Sequence, residues 1–289
     1  MGLEEAIRSG KFIVTAEICP PKGTDISGLF SEAALLQGLI DAVNVTDCPR
    51  AMVRMSPLVL SSELIKMNID TIMHLTCRDR NRIAIQSDLL AAHALGIRNV
   101  LAMSGDFTTM GDHPYAKPVF DLDSVQMLQV ITKMNRGFDL MDNPLGGATS
   151  LYAGAVVNPG ARPLGFVRIK LQKKISAGAR FIQTQAVFDA DLFNEFMDEF
   201  KSLNIPVIAG IIPLRSAKSA GFMIENIPGV KIPQAAINRM ESALDPVTEG
   251  LKIAAETIDR IKENCHGVHI MPIGNHDHTK RLLEMCSLL

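Results

Sequence analysis

The chain has 289 residues, with 29 Lys and Arg against 31 Asp and Glu and a formal net charge of −2. That balance gives no sign of nucleic-acid binding or of a basic membrane surface, and a chain without Trp and with two Tyr has little to stack bases on. Apolar residues make up 47% and charged residues 21%, which excludes a disordered chain and leaves ample material for a core.

The first predicted element is a strand, FIVTAEI (12–18). Period two puts Val14, Ala16 and Ile18 on one face and Thr15, Glu17 and Cys19 on the other; Pro20 and Pro21 stop it. Glu17 has no neutralising neighbour in sequence. Further strands are predicted at 41–47, 70–76 and 99–105, so the first four start at a constant spacing of 29, about one strand–helix unit. Between them RIAIQSDLLAAHALG (82–96) reads as an amphipathic helix, with Ile83, Leu89, Leu90 and Leu95 near one stripe. A long Gly/Pro-containing loop follows at 106–122, and loops of that length at the working end of a barrel are more often ligand lids than accidents. Residues 136–150 read as a flexible connection. Strands at 152–158 and 181–187 precede a helix with Leu192, Phe193, Phe196 and Phe200 on its stripe. A strand at 206–213, an inserted helix within 228–248 and a last strand at 267–274 complete the order.

Eight strands, each followed by a helix, predict an α/β chain folded as a closed (β/α)8 TIM barrel, with no domain boundary within 1–289. The rival is an open doubly wound sheet, which usually has fewer strands and often a glycine fingerprint; no GxGxxG occurs. In a barrel the site lies at the C-terminal ends of the strands. Those ends carry Glu17; Thr46 and Asp47; His74, Thr76, Cys77, Arg78 and Asp79; Ser104, Gly105 and Asp106; Asn158; Gln183, Thr184 and Gln185; then Asn275, His276 and Asp277. Each has a structural alternative. Glu17 fits a lumen ion pair as well as a site acid. His74 fits a satisfied core histidine, Asp106 a loop cap, and Gln185 a lumen hydrogen-bonder. The basic clusters RDRNR (78–82) and KLQKK (170–174) read as solvated helix faces or single anion contacts.

No apolar run approaches the ~20 residues of a membrane span. MGLEEAIRSGKF has no hydrophobic signal core, and Ala6 stands where a myristoylation signal needs Ser or Thr. A cytoplasmic location is expected, with neither membrane nor nucleic acid as partner. The five cysteines form no CxxC pair and read as reduced thiols. Cys19, Cys48 and Cys77 share the 29-residue spacing, which the repeat explains; no metal site is expected there, since a cluster normally takes four ligands. GxSxG, HExxH and P-loop motifs are absent, so hydrolase and kinase readings lack support.

Four segments resemble a known family. TAEICPP (15–21) is similar to the E-F-x-P-P opening of methylenetetrahydrofolate reductases, and HLTCRDRNR (74–82), LGIRNVLAMSGD (95–106) and AGARFIQTQAVFD (177–189) follow in the family's order and spacing. The resemblance covers nearly the whole chain. It implies a flavin-containing barrel, with FAD or alternatively FMN, that reduces 5,10-methylenetetrahydrofolate to 5-methyltetrahydrofolate. Glu17 would be the general acid at N10, opening the five-membered ring to a 5-iminium cation that accepts hydride from the flavin; burial in an apolar lumen would raise its pKa for that task. Asp106 would stabilise the cation and bind the pterin edge, and Gln185 and Ser219 would bind the folate. Thr46, His74, Met103, Ser104, Gly105, Asp106, Phe120 and Asn158 match positions near the flavin, and Lys170, Lys173 and Lys174 would meet its phosphates.

The departures from the family pattern concern the electron donor. Asp47 stands where many nicotinamide-using members have an aromatic residue. Ser104 replaces an Arg of some members and Val167 an acidic residue. IGNHDH (273–278) replaces LNR, so the arginine expected near the folate's glutamate is missing. The chain resembles the short form of anaerobic one-carbon pathways, placing it in methionine biosynthesis or the Wood–Ljungdahl pathway. Its donor would be NAD(P)H or a partner iron–sulfur protein, and an oligomer or hetero-complex is expected. No regulatory domain, and hence no control by S-adenosylmethionine, is expected.

Overall fold

The computed structural model describes residues 1–227, 229–271 and 277–288. Its strands are β1 (Ile13–Ile18), β2 (Ala42–Val45), β3 (Thr71–Thr76), β4 (Asn99–Met103), β5 (Tyr152–Val157), β6 (Phe181–Ala186), β7 (Val207–Ile211) and β8 (Gly267–Ile270). All neighbours pair in parallel, and β1 closes on β8 through Thr15 opposite His269, so the sheet is a closed barrel in sequence order. The helices are α1 (Leu3–Arg8), α2 (Ser27–Leu36), α3 (Pro57–Lys66), α4 (Arg82–Ala94), α5 (Ser124–Met134), α6 (Leu164–Ala177), α7 (Ala190–Phe200), α8 (Ala217–Asn226), α9 (Gln234–Ser242), α10 (Pro246–Ile261) and α11 (Asp277–Met285). The strand repeat read from the sequence is the repeat of the fold, and α9 is the inserted helix.

Alternation sorts each strand between two cores. Val14, Val43, Met73, Val100 and Ile182 point outward to the helix ring, while Ile13, Ile72, Leu101, Phe181 and Ile208 fill the lumen. The N-terminal segment, given no element from sequence, forms α1. Its Leu3 and Ala6 close the lumen floor beneath the stacked rings of Tyr152 and Phe181, whose centroids lie 5.6 Å apart. Asp70 holds it by accepting from Leu3 N–H at 2.8 Å. Burying a leucine of this kind contributes roughly 2 kcal/mol.

Two helix expectations divide. On α7, Phe193, Phe196 and Phe200 are buried as expected and Leu192 sits at the edge. On α4 the expected stripe is corrected. Ile83, Leu90 and Leu95 are exposed at 74%, 40% and 44%, and the buried line is Ile85, Leu89 and Ala92. The true stripe runs i, i+4, i+7 through an alanine, which hydrophobicity alone underweights. Residues 136–150 form a hydrogen-bonded loop rather than a slack connection: Asp139 accepts from the backbone of Met141 and Asn143, and Lys133 reaches Leu140 O and Asp142.

The RDRNR cluster is not a solvated face. Arg78 pairs with Asp79, Arg80 with Asp47 and Asp88, and Arg82 with Asp121, while Asn81 caps α4 by accepting from Ile83 and Ala84 N–H. Together with Val119 N–H donating to Arg78 O at 2.7 Å, these bonds fasten the end of the 106–122 loop to the top of β3. The sequence reading missed this because Asp47, Asp88 and Asp121, the partners of Arg80 and Arg82, lie outside the cluster.

Candidate active site

A cavity of about 420 Å³ opens at the C-terminal mouth of the barrel. Glu17, Thr46, His74, Met103, Ser104, Gly105, Asp106, Gln185 and Lys174 all line it. The strand-end residues read from the sequence thus converge on one cavity. Phe120, Asn158, Lys170, Lys173 and Ser219 do not line it. Phe120 packs edge-on to Phe107, 5.7 Å between centroids. Asn158 Oδ1 accepts from Gly160 N–H at 2.9 Å, turning the side chain into its own loop. Lys170 and Lys173 lie exposed on α6. The hydroxyl of Ser219 closes a capping box with Ser216 at the start of α8. Asn275 and His276 lie outside the described residues, and Asp277 opens α11.

At the floor, three groups from β1 and β8 form a chain that sequence reading did not find. Thr15 Oγ1 and His269 Nδ1 lie 2.9 Å apart, and His269 Nε2 lies 3.8 Å from Glu17 Oε2. His269 is fully buried, whereas the Glu17 side chain keeps 28% of its surface exposed toward the cavity. Thr15 and Glu17 share a strand face, so barrel closure places both beside the inward His269. The signal was present as alternation in GVHI, but His269 comes before the strand end where functional side chains were sought.

The expected raised pKa of Glu17 is corrected. Burial is the largest single influence and pushes it up, but the imidazole of His269, 3.8 Å away, and then the charge of His74 together outweigh burial. The net direction is down from the ordinary carboxylate value. Glu17 is thus not left without a partner: strand eight supplies one that is 252 positions away in sequence.

A second polar layer crosses the lumen. Asn44 Nδ2 donates to Gln183 Oε1 at 2.8 Å and lies 2.9 Å from His74 Nε2. Burial pushes the His74 pKa down to about 4, so the ring is neutral at physiological pH. With Nε2 accepting from Asn44, the proton sits on Nδ1 and is free to donate into the cavity. Asn44 was missed because the sequence reading took only the last residues of strand two.

Asp47 is consumed by structure. Its Oδ2 accepts from Thr76 N–H and Oγ1, both at 2.8 Å, and from Arg80 Nη1 at 2.7 Å. Gly105 adopts φ +91°, and a Cβ there would lie 3.0 Å from Thr76 Cβ, so the β4 turn needs glycine to pass this bracket. Lys174 turns inward and donates to Val156 O at 2.6 Å; burial pushes its pKa down. Cys77 is packed in the outer core, its thiol pushed up to about 12 by burial.

A bound flavin can be tested against these groups. Thr46 Oγ1 is buried at the cavity wall with no hydrogen-bond partner among the described residues, and the His74 ring lines the same cavity. An unmet hydroxyl and an imidazole on one wall, beside the apolar Leu101, Ala102 and Met103, fit a flat heteroaromatic group with polar edges.

A closed parallel barrel with a polar cavity at its C-terminal mouth, and an imidazole and a hydroxyl buried beneath the carboxylate that lines it, is the architecture of a TIM-barrel enzyme. The chain belongs to the methylenetetrahydrofolate reductase family, whose sequence model matches residues 2–287. It is 26% identical over 241 residues to a probable methylenetetrahydrofolate reductase (NADPH) of Caenorhabditis elegans, covering 81% of this chain and 34% of that one. It is 24% identical over 230 residues to the 5,10-methylenetetrahydrofolate reductase of Buchnera aphidicola, covering 77% and 73%. The chain thus spans about a third of the length of the eukaryotic relatives. Among solved structures, a Clostridium thermocellum protein described as binding two copies of 5-methyl-5,6,7,8-tetrahydrofolic acid shares the fold, with TM-score 0.67 and 18% identity over 98% of this chain and 97% of that one. No helix among the described residues is long and apolar enough to cross a membrane.

Proposed function

We propose that this chain, acting as one barrel over 1–289, reduces 5,10-methylenetetrahydrofolate to 5-methyltetrahydrofolate. The observation that carries the reading is the Thr15–His269–Glu17 chain ending at the cavity. Family membership and the folate ligand of the Clostridium thermocellum protein support the substrate class.

The bound flavin, FAD in this reading, supplies hydride to the substrate. Thr46 and His74 would hold its polar edges, and Lys174, with Lys170 and Lys173 on the same helix, would meet its phosphates. Glu17 gives its proton to N10 as the bond from the bridging carbon to N10 breaks. The electron pair stays on N10, and the cation left at N5 is faced by Asp106. Glu17 then recovers a proton from solvent across the cavity, toward which its side chain keeps 28% of its surface exposed. A carboxylate with a lowered pKa can serve as this acid only if the substrate changes its surroundings. Covering its exposed quarter removes water and strengthens burial, already the largest influence on it, toward the protonated form.

The test is an absorption spectrum followed by half-reactions. The purified protein is expected to carry a flavin, which mass spectrometry of the released cofactor identifies as FAD or FMN. Glu17→Gln is expected to slow folate reduction by roughly 10²–10⁴ while sparing flavin reduction. Equal loss of both half-reactions would contradict the acid role.

A second reading concerns the donor. The Asp47–Arg80 pair occupies the position where an aromatic residue is expected in nicotinamide-using relatives, which favours an iron–sulfur partner protein as donor, with the barrel as one subunit of a complex. Rapid flavin bleaching by NADH alone in stopped flow would exclude it.

A further inference from the structure

The loop after β2 carries Arg50 across the mouth of the barrel. Its guanidinium lies over the ring of Phe222 on α8, 5.5 Å from the centroid. Arg50 follows β2 and Phe222 follows β7, and between those strands in the closed sheet lie only β1 and β8. The contact therefore spans the sector above Glu17 on β1 and His269 on β8. Both side chains are exposed, Phe222 at 46%, and among the described residues the Arg50 side chain has no ion pair and no hydrogen bond. This sets it apart from Arg78, Arg80 and Arg82, which are all paired.

The loop that holds Arg50 is built to keep it there. Cys48, Arg50 and Ala51 have φ of 43°, 56° and 54°, left-handed values that non-glycine residues hold only when their surroundings impose them. The surroundings are named. Arg50 N–H donates to Asp106 Oδ2 at 3.1 Å, Val53 N–H donates to Asp112 Oδ1 at 3.0 Å, and Cys48 Sγ donates to Arg54 O. An unpaired cation is thus presented on a rigid, strained loop above the acid of the site.

The chemistry of the substrate says what that cation would meet. Resting on the folate reading above, N10 is the atom that takes the proton from Glu17, and N10 carries the aminobenzoyl ring. That ring must leave the site directly above Glu17, and its far end bears glutamate with two carboxylates. We propose that Arg50 is the residue that recognises this glutamate, and that Phe222 is where its guanidinium rests when no substrate is bound. An exposed cation–π contact is weak enough to give way to a charge-assisted, two-point bond to a carboxylate. Arg50 would thus fill the role left open where the chain reads IGNHDH.

The test compares two ligands on two proteins. 5-Methyltetrahydrofolate and 5-methyltetrahydropteroate, which lacks the glutamate, are titrated by calorimetry into the wild-type holoprotein and into Arg50→Ala. Wild type is expected to bind the glutamyl ligand about tenfold more tightly, and Arg50→Ala is expected to erase that difference while leaving pteroate affinity in place. Arg50→Lys, which keeps a point charge but not the fork, is expected to fall between them. Retained preference for the glutamyl ligand in Arg50→Ala overturns the proposal, as does equal weakening of both ligands, which would mark Arg50 as a structural residue of its loop. Wild type that binds neither ligand would instead refute the folate reading, and this proposal with it.

Discussion

His269 Nε2 sits 3.8 Å from Glu17 Oε2 in a wholly buried position, and it is the strongest counterweight to the burial of that carboxylate. Replacing His269 with Leu removes the facing imidazole and its charge. Burial is then opposed by His74 alone, so the pKa of Glu17 moves up. The expected outcome is twofold. The pH profile of folate reduction shifts its high-pH fall to higher pH, because the acid stays protonated longer. The rate itself drops, on the order of 10²-fold, because the acid loses the imidazole that faces and positions it. A profile that stays in place would show that His269 does not set the protonation of Glu17.

Asp47 and Arg80 form a pair whose side chains are 2% and 15% exposed. Asp47→Ala leaves a largely buried guanidinium with Asp88 as its remaining acidic partner and also removes the acceptor of Thr76. The expected cost is about 3 kcal/mol, the usual penalty for removing one partner of a buried pair. Urea denaturation measures it. The double change Asp47→Leu with Arg80→Met should recover most of the loss, since a packed apolar pair leaves no buried charge. No recovery would mean that the bond to Thr76, rather than the charge pair, holds the β2 and β3 ends together.

The barrel was legible in the sequence because its strand starts repeat, and the lining of the mouth cavity because polar residues collect at the strand ends. What escaped shares one physical cause. Thr15 and His269 are 254 positions apart, and Asn44 and Gln183 are 139 apart. Alternation says which face such residues occupy, but only closure of the sheet says who faces them. The Glu17 pKa failed for that reason: the sequence showed an apolar strand around the carboxylate and not the imidazole on strand eight. Ser219 and Asn158 show local roles that the sequence did not display. Their hydroxyl and amide were matched to binding positions by resemblance, yet locally they cap α8 and staple the loop after β5.

Gly111 lies where the 49–51 turn meets the 108–110 turn. A Cβ there would fall 1.9 Å from Ala51 O, so Gly111→Ala must push the two turns apart. Overpacking of this kind costs about 1–3 kcal/mol. The displaced turn is the one that presents Arg50 and bonds to Asp106, while the Thr15–His269–Glu17 chain lies below it. Weaker folate binding is therefore expected, together with unchanged flavin content and a modest fall in melting temperature. Loss of flavin with intact folate binding would show that the two turns serve the cofactor instead.

His74 makes the fold sensitive to acid. Its folded pKa is about 4 against 6.5 for the free side chain, because burial disfavours the cation. Between those values the unfolded chain binds the proton and the folded one does not. Stability therefore rises with pH through this window, and it is lost as pH falls from 6.5 toward 4. The full difference is roughly 3 kcal/mol. His93 and His266, also lowered by burial, add to the same slope, whereas the lowered carboxylates act mainly below it. His74→Gln keeps a polar side chain beside Asn44 and removes the titration. The slope of unfolding free energy against pH should then fall by up to about 1.4 kcal/mol per pH unit within the window, read from urea titrations at closely spaced pH values. An unchanged slope would mean that His74 takes up its proton inside the fold, and with it the role of neutral donor to the cavity would be lost.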